Sequence, residues 1–164
     1  MFYLTSKRLA LRNLAQSDLE FIRALYTDES CARYQRWEDA TPEHIQAMID
    51  KHHADDFLSE KEIQRFVISR ADGVSVGMLT LFVTPREGCI TLGITIATPN
   101  QRQGYAREIL TAVIDRIHAS FSELEIVALI HPDNLPSVRL FECLGFGLDL
   151  YAESINSLVY TLRT

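Results

Sequence analysis

A loop with a single glycine precedes a strongly amphipathic helix in the second half of the chain. Gln101, Arg102 and Gln103 lead to Gly104, and apolar residues at helical spacing begin at Ala106. A helix N-terminus exposes unpaired N–H groups and the positive end of the helix dipole. A glycine there has no Cβ, so a pyrophosphate can approach the backbone closely. The loop predicts a phosphate site to which Arg102 adds charge, although a helix start that binds nothing has the same pattern.

A second polar segment begins another helix thirty residues after Gly104. Asn134, Pro136 and Ser137 open this helix, and Gly145 ends it. Capping alone accounts for Asn134 and Gly145. It does not account for the pairing of this segment with the glycine loop upstream. The chain has neither a Gly-x-x-x-x-Gly-Lys-Ser/Thr motif nor a Gly-x-Gly-x-x-Gly motif after a strand, so the common nucleotide-binding loops are excluded.

The surrounding pattern predicts the elements that position these two segments. Strands 65–70, 75–83 and 89–97 have short connections, which is typical of an antiparallel meander. Helix 105–118 and strand 125–130 follow, and this order favours a parallel pair of strands. The resulting class is α/β (α+β), an antiparallel meander followed by a helical crossover. Further elements are expected as strands at 8–14, 146–151 and 158–162 and as helices that begin near residues 17, 41 and 135.

Composition limits the classes of function. The chain has 164 residues, enough for one domain with its own core, and a net charge of −6 argues against a general nucleic-acid binder. Three cysteines without a paired motif indicate free thiols in a reducing compartment, and neither a zinc site nor another metal site is expected. The first residues lack a secretory signal, and no apolar run is long enough to span a bilayer. We therefore expect a cytoplasmic protein with no membrane partner.

Together these segments resemble the GNAT superfamily of acyl-CoA N-acyltransferases. Gln101-x-x-Gly104-x-Ala106 is similar to the pyrophosphate-binding signature of that family, and Asn134-x-x-Ser137 with Gly145-Phe146 is similar to its second cofactor segment. The N-terminal residues 5–12 and the stretch 33–37 resemble the branch that contains ribosomal-protein N-terminal acetyltransferases. The resemblance covers essentially the whole chain in the right order.

The resemblance implies a single acetyltransferase domain over residues 1–164. Its fold would be a mixed sheet of six or seven strands with about four helices, in which strands 91–97 and 125–130 splay apart around the pantetheine arm. Acetyl-CoA would be the co-substrate, and a primary amine of a peptide or small molecule would attack its thioester directly. The cofactor-binding residues implied are Ile94, Ile96, Ala97, Gln101, Arg102, Gln103, Gly104, Tyr105, Ala106, Asn134, Ser137 and Phe141.

The chain departs from the family pattern at two positions. Many members carry a tyrosine that protonates the leaving thiolate, and this chain has Phe141 there; the resemblance passes that role to Ser137. The glutamate base of several members is matched by Thr91, which cannot act as a base. The base is therefore unassigned, with His131 and three carboxylates as candidates, namely Glu87, Asp149 and Glu153.

Several alternatives stay open at this point. Val138 and Phe141 belong either to the core or to the cover of the pantetheine, and Tyr34 and Trp37 either line an acceptor pocket or pack between helices. A non-catalytic acyl-CoA sensor and an interaction domain that binds no phosphate are the rival functions. The acceptor is a protein N-terminus, a polyamine, an amino acid or an antibiotic amine. We also expect a homodimer that pairs through a sheet edge, for which 158–162 is a candidate strand.

Overall fold

The protein is built on one eight-stranded sheet. Our computed structural model describes residues 2–37, 39–60 and 63–163. The strand order is β1-β2-β3-β4-β5-β6-β8-β7, and every neighbouring pair is antiparallel except β5 and β6. The strands are β1 (Phe2–Thr5), β2 (Leu9–Asn13), β3 (Gln64–Arg70), β4 (Ser75–Thr84), β5 (Cys89–Ile96), β6 (Glu125–Ile130), β7 (Gly147–Ala152) and β8 (Ser157–Leu162).

Five helices accompany the sheet, and none in the described part of the chain is long and apolar enough to cross a membrane. They are α1 (Leu19–Thr27), α2 (Glu29–Ala32), α3 (Pro42–His52), α4 (Tyr105–Ser120) and α5 (Leu135–Cys143). The expected meander and parallel pair are confirmed. The structure adds β1 and α2, because a strand of four residues and a single helical turn are too short to show a period.

Each face of the sheet has its own core. Alternation along β4 sends Leu79, Leu81 and Val83 to the face covered by α4 and α5, where they join Ile109 and the other buried residues of α4. The opposite face carries α1 and α3, whose Ile22, Leu25, Ile45 and Ile49 pack on Val67 and Met78. These helices cover only part of the second face, where Leu129 of β6 is 47% exposed.

The parallel pair divides the sheet into two halves joined by a short seam. β5 and β6 pair only at Cys89 with Glu125, Ile90 with Ile126 and Thr91 with Val127. Both strands continue, β5 to Ile96 and β6 to Ile130, without further pairing to each other. The splay implied by the resemblance is therefore present, and it begins directly after Thr91.

The last two strands correct one expectation about assembly. β8 lies inside the sheet, with β6 on one side and β7 on the other, so Leu158–Leu162 cannot supply a free edge. The chain makes β7 first and then returns between β6 and β7. The edge strand at this end of the sheet is therefore β7, on which Leu148, Leu150 and Tyr151 are each about half exposed.

Candidate active site

A cleft of about 590 Å³ lies where β5 and β6 separate. Its walls include Ile94 and Ile96, which face α4 and α5, and also Thr95, which faces the other side of the sheet together with Tyr34. Because side chains of both faces line it, the cleft passes through the gap in the sheet. Nine residues that the sequence suggested for cofactor binding lie along it: Ile94, Ile96, Gln101, Arg102, Gly104, Tyr105, Ala106, Asn134 and Ser137.

The edge of β5 that faces the gap has backbone groups available for a ligand. Ala97 N–H donates to the carbonyl of Val76 at 2.9 Å, and hydrogen bonding alternates along an antiparallel ladder. The groups of Thr95 and Gly93 therefore point to β4, and those of Ile94 point into the gap. The carbonyl of Ile96 accepts from Gln101 Nε2 at 2.8 Å. An amide-containing chain in the gap would thus find both the N–H and the C=O of Ile94.

The glycine loop presents an unbroken run of backbone donors. Arg102 and Gly104 have φ angles of +60° and +78°, and the first helical hydrogen bond of α4 runs from Glu108 N–H to the Gly104 carbonyl at 3.0 Å. None of the N–H groups of residues 102–107 donates to another group within the described residues. Six free donors at a helix N-terminus are an arrangement that suits a phosphate.

A contact from the N-terminal hairpin fixes the start of α4. Glu108 Oε1 accepts from Ser6 Oγ and from Arg8 N–H, both at 2.7 Å, and Arg8 Nε donates to Glu108 Oε2 at 2.6 Å. Burial alone would raise the pKa of Glu108, but these hydrogen bonds and the charge of Arg8 lower it. The Arg8 guanidinium also lies 4.7 Å from the ring centroid of Tyr105. Arg8 therefore belongs to this site.

Sequence reasoning missed Arg8 because the residue lies a hundred positions from Glu108, to which it is hydrogen-bonded. It also missed Arg33 and Arg107, which line the cleft together with Arg102. Among the described residues that line the cleft, Asp133 alone carries a carboxylate. Three guanidinium groups and one carboxylate make the cleft complementary to an anionic ligand.

At the start of α5, one polar residue caps the helix and another lines the cleft. Asn134 Oδ1 accepts from the backbone N–H of Ser137 at 3.4 Å, so Asn134 caps the helix. The Ser137 hydroxyl lines the cleft and has no hydrogen-bond partner in the described residues. Capping through its hydroxyl is therefore not the role of Ser137, and this hydroxyl is free to meet a ligand.

The opposite mouth of the cleft is formed by the segment after α2. Tyr34 stacks on His131 with ring centroids 4.9 Å apart, and Gln35 Nε2 donates to Thr95 Oγ1 at 3.3 Å. Trp37 is stacked on Tyr26 at 4.2 Å in the second core, so it packs between helices and does not line the cleft. Of the two aromatic candidates for an acceptor pocket, only Tyr34 is at the cleft.

A match to a family profile covers most of this architecture. The profile of the Acetyltransferase (GNAT) domain matches residues 8–147, which include the glycine loop, both splayed strands and α5. The chain belongs to the GNAT acetyltransferase family. Members of this family use an acyl-CoA as the donor.

Individual relatives agree with this assignment. An uncharacterized N-acetyltransferase of Bacillus subtilis, YnaD, is 24% identical over 144 residues, which cover 87% of this chain and 81% of the relative. The solved structure of a ribosomal L7/L12 alpha-N-protein acetyltransferase, RimL, has a TM-score of 0.81 at 16% identity, covering 100% of this chain and 96% of that one.

A third comparison concerns a structure with ligands. The spermidine N-acetyltransferase of Vibrio cholerae, solved in complex with CoA and spermine, has a TM-score of 0.74 at 21% identity, over 93% of this chain and 92% of that one. At these identities the two solved structures show the GNAT fold, and the resemblance stated from the sequence motifs is confirmed.

Three of the expected cofactor residues do not line the cleft: Ala97, Gln103 and Phe141. Phe141 is 3% exposed, and its ring meets Phe146 edge to face at 5.0 Å. The end of α5 turns at Gly145 and brings Phe146 back onto the helix, which buries both rings. Phe141 is therefore a core residue in this GNAT chain, and Val138 packs partly buried against the same core.

None of the four candidate bases is free in the cleft. Glu87 precedes β5 at its paired end, on the side of the seam away from the gap, and neither Asp149 nor Glu153 lines the cleft. His131 Nδ1 accepts from the Asp133 N–H at 3.2 Å, and its Nε2 lies 3.1 Å from Asn156 Nδ2. With Nδ1 accepting, a neutral imidazole carries its proton on Nε2, so no free lone pair remains on the ring. The base is unassigned, and the described residues contain no cluster that could hold a metal ion.

Proposed function

We propose that this protein transfers an acetyl group from acetyl-CoA to a primary amine by direct attack. The observation that carries the proposal is the cleft that passes through the sheet, with six free backbone N–H groups at one mouth and Tyr34 at the other. A donor with a phosphorylated end and a slim amide-containing arm fits the first mouth and the gap. The second mouth leaves room for a separate acceptor.

The residues of the first mouth match the chemistry of CoA group by group. The N–H groups of residues 102–107 suit the pyrophosphate, and Arg102 and Arg107 add positive charge beside it. The unpaired N–H and C=O of Ile94 suit the amides of the pantetheine arm. When bound, acetyl-CoA supplies an activated acyl group whose C–S bond breaks as the new C–N bond forms.

Ser137 is the residue we propose to act on the leaving group. Its free hydroxyl lines the cleft at the N-terminus of α5, where the helix dipole favours a developing negative charge. Ser137 would donate a hydrogen bond, or its proton, to the thiolate as the C–S bond breaks. The proton lost by the amine goes to water, since none of the four candidate bases lines the cleft.

The acceptor proposed is the primary amine of a protein N-terminus or of a small molecule. One solved relative acts on a ribosomal protein and another on spermidine, so relatives with this fold serve both classes. A screen over peptides, polyamines, aminoglycosides and amino acids, read by the thiol released from acetyl-CoA, tests the proposal. Thiol release that requires both acetyl-CoA and one of these amines is the expected result.

A non-catalytic sensor of acyl-CoA is a second candidate. Two observations favour it: the core position of Phe141, where many members carry a tyrosine acid, and the hydrogen bond that occupies the accepting nitrogen of His131. A rise in melting temperature with acetyl-CoA but no thiol release with any amine would favour the sensor. A melting temperature unchanged by acetyl-CoA would contradict both candidates.

We further propose a cytoplasmic homodimer. The three free cysteines suit a reducing compartment. The unpaired edge of β7 carries Leu148, Leu150 and Tyr151, and a second copy could extend the sheet there.

A further inference from the structure

Two glycines lie inside the central strands, Gly77 in β4 and Gly93 in β5. Glycine weakens a strand, because it adds no side chain to pack and loses more backbone freedom on folding than other residues. Inside a strand it commonly marks a bulge, a tight bend or a place where another group approaches closely. Each of these two glycines therefore needs a physical reason.

Gly77 has its reason within the protein. A Cβ at this position would lie 2.5 Å from the Thr95 carbonyl oxygen and 2.8 Å from Ile96 Cδ1. The first distance is to backbone, which cannot move away easily. Any side chain at position 77 would therefore push β5 out of the sheet, and the fold itself requires a glycine.

Gly93 has no such reason. The register between β4 and β5 is continuous from Cys89 to Ile96, so there is no bulge. The φ angle of Gly93 is not in the left-handed region, and a Cβ built on it would have no atom within 4 Å. The fold would accept a larger residue at position 93 without strain or clash.

The position of Gly93 suggests why a residue without a side chain stands there. It lies two residues after Thr91, where the seam between β5 and β6 ends, and next to Ile94 in the cleft. It is exposed and faces the side of the sheet that α1 and α3 leave open. The side chains that the register places around it on that face are all uncharged: Thr80, Phe82, Thr91, Thr95, Val127 and Leu129.

We propose that Gly93 keeps open the route by which the acceptor amine reaches the gap, and that this route fits an amine carried on a slim, uncharged arm. The inference rests on the proposed function and names a specificity determinant within it. A side chain at position 93 would occupy the open face at the point where the strands part. Since none of these six neighbouring side chains is a carboxylate, a second positive charge close to the amine would lose hydration there without gaining a partner among them.

The test is a graded substitution with a matched control. Gly93→Ala and Gly93→Val add one and three carbons at the proposed route. Gly147→Val makes the same change at another strand glycine, in β7, that also has no atom within 4 Å of its Cβ position. For each variant we would measure the acceptor KM, the acetyl-CoA affinity by calorimetry and the melting temperature.

We expect Gly93→Val to raise the acceptor KM by about tenfold or more, with Gly93→Ala in between, while acetyl-CoA affinity stays within about twofold. Gly147→Val should match the wild type in all three measurements. An unchanged acceptor KM in Gly93→Val, or a loss of acetyl-CoA affinity as large as the rise in KM, would overturn the inference. If the valine variant fails to fold, the alanine variant decides by the same criteria.

The charge of the arm has its own comparison. With the wild-type protein, a peptide whose residues near the amine are neutral should have a higher kcat/KM than spermine. The reverse order would overturn the inferred preference for an uncharged arm. A wild-type protein that releases no thiol with any amine refutes the proposed function. Turnover by the wild type with no effect of Gly93→Val refutes only the inference about Gly93.

Discussion

The proposed phosphate site is tested most directly at Gly104, with the two variants Gly104→Ala and Gly104→Glu. With φ at +78°, either side chain is held in the left-handed region, at a cost of about 1–2 kcal/mol. The Cβ itself would meet only Arg8 Nη2, at 3.5 Å, which is an ordinary contact. Both variants should therefore melt lower than the wild type by roughly 2–8 °C for a domain of this size.

Affinity for acetyl-CoA should separate the two variants. Alanine adds one methyl group and leaves the six N–H groups of residues 102–107 free. Glutamate places a carboxylate among those donors and beside Arg8, where it repels the pyrophosphate and competes for the same hydrogen bonds. Loss of two charge-assisted hydrogen bonds, at about 1.5–3 kcal/mol each, corresponds to a weakening of roughly 10²- to 10⁴-fold.

Calorimetry with acetyl-CoA on folded samples of both variants gives the answer. The alanine variant serves as the control, because it carries the same backbone strain without the charge. Equal affinities for the two variants, or an affinity of Gly104→Glu like that of the wild type, would show that the pyrophosphate does not bind at this loop.

Three other predictions concern Ser137, Asp18 and the β7 edge. Ser137→Ala should lower kcat by about 10²-fold with unchanged acetyl-CoA affinity and melting temperature. As the control, Asn134→Ala removes the helix cap and should cost about 1 kcal/mol of stability. Full turnover in Ser137→Ala would refute the proposed role of Ser137. Burial would raise the pKa of Asp18, but hydrogen bonds from Arg12, from the Ala15 N–H and from Ser75, together with the charge of Arg12, lower it. The ionised Asp18 therefore stabilises the folded protein fully above the ordinary pKa of an aspartate. This stabilisation is lost as the pH falls through the lowered pKa of the folded state. Asp18→Asn should therefore cost about 3 kcal/mol at neutral pH in urea unfolding and less in acid, and a difference independent of pH would contradict this. Light scattering at tens of micromolar should give the mass of a dimer that Leu150→Lys converts to a monomer; a monomeric wild type would refute the dimer.

The phosphate loop and the cap of α5 could be predicted from the sequence because each depends on neighbouring residues. Gly104 adopts a left-handed conformation before a helix, and Asn134 caps the helix that follows it, as local rules require. Ser137 lies in the cleft at the start of the same helix, and its role on the leaving group stays a prediction.

The remaining features depend on contacts between distant parts of the chain. Arg8 reaches the phosphate loop only because β1 and β2 pack beside α4, and no local pattern indicates this. The expectation that 158–162 supplies a sheet edge was wrong for a related reason. A hairpin can join a sheet through either of its strands, and their hydrophobic patterns do not decide which. The burial of Phe141 follows from the turn at Gly145, although the sequence left both of its possible positions open.

The seam between β5 and β6 has a mechanical consequence. Five strands on one side and three on the other are joined by three residue pairs, so the sheet is weakest along this line. A ligand that fills the gap and hydrogen-bonds to Ile94 would link the two halves of the sheet. We expect the amide protons of the seam residues Ile90 and Val127 to exchange by local opening in the free protein and to slow sharply with donor bound. The rigidity of the whole sheet would then depend on whether the site is occupied. The two substrates would meet at the part of the free protein that opens most easily.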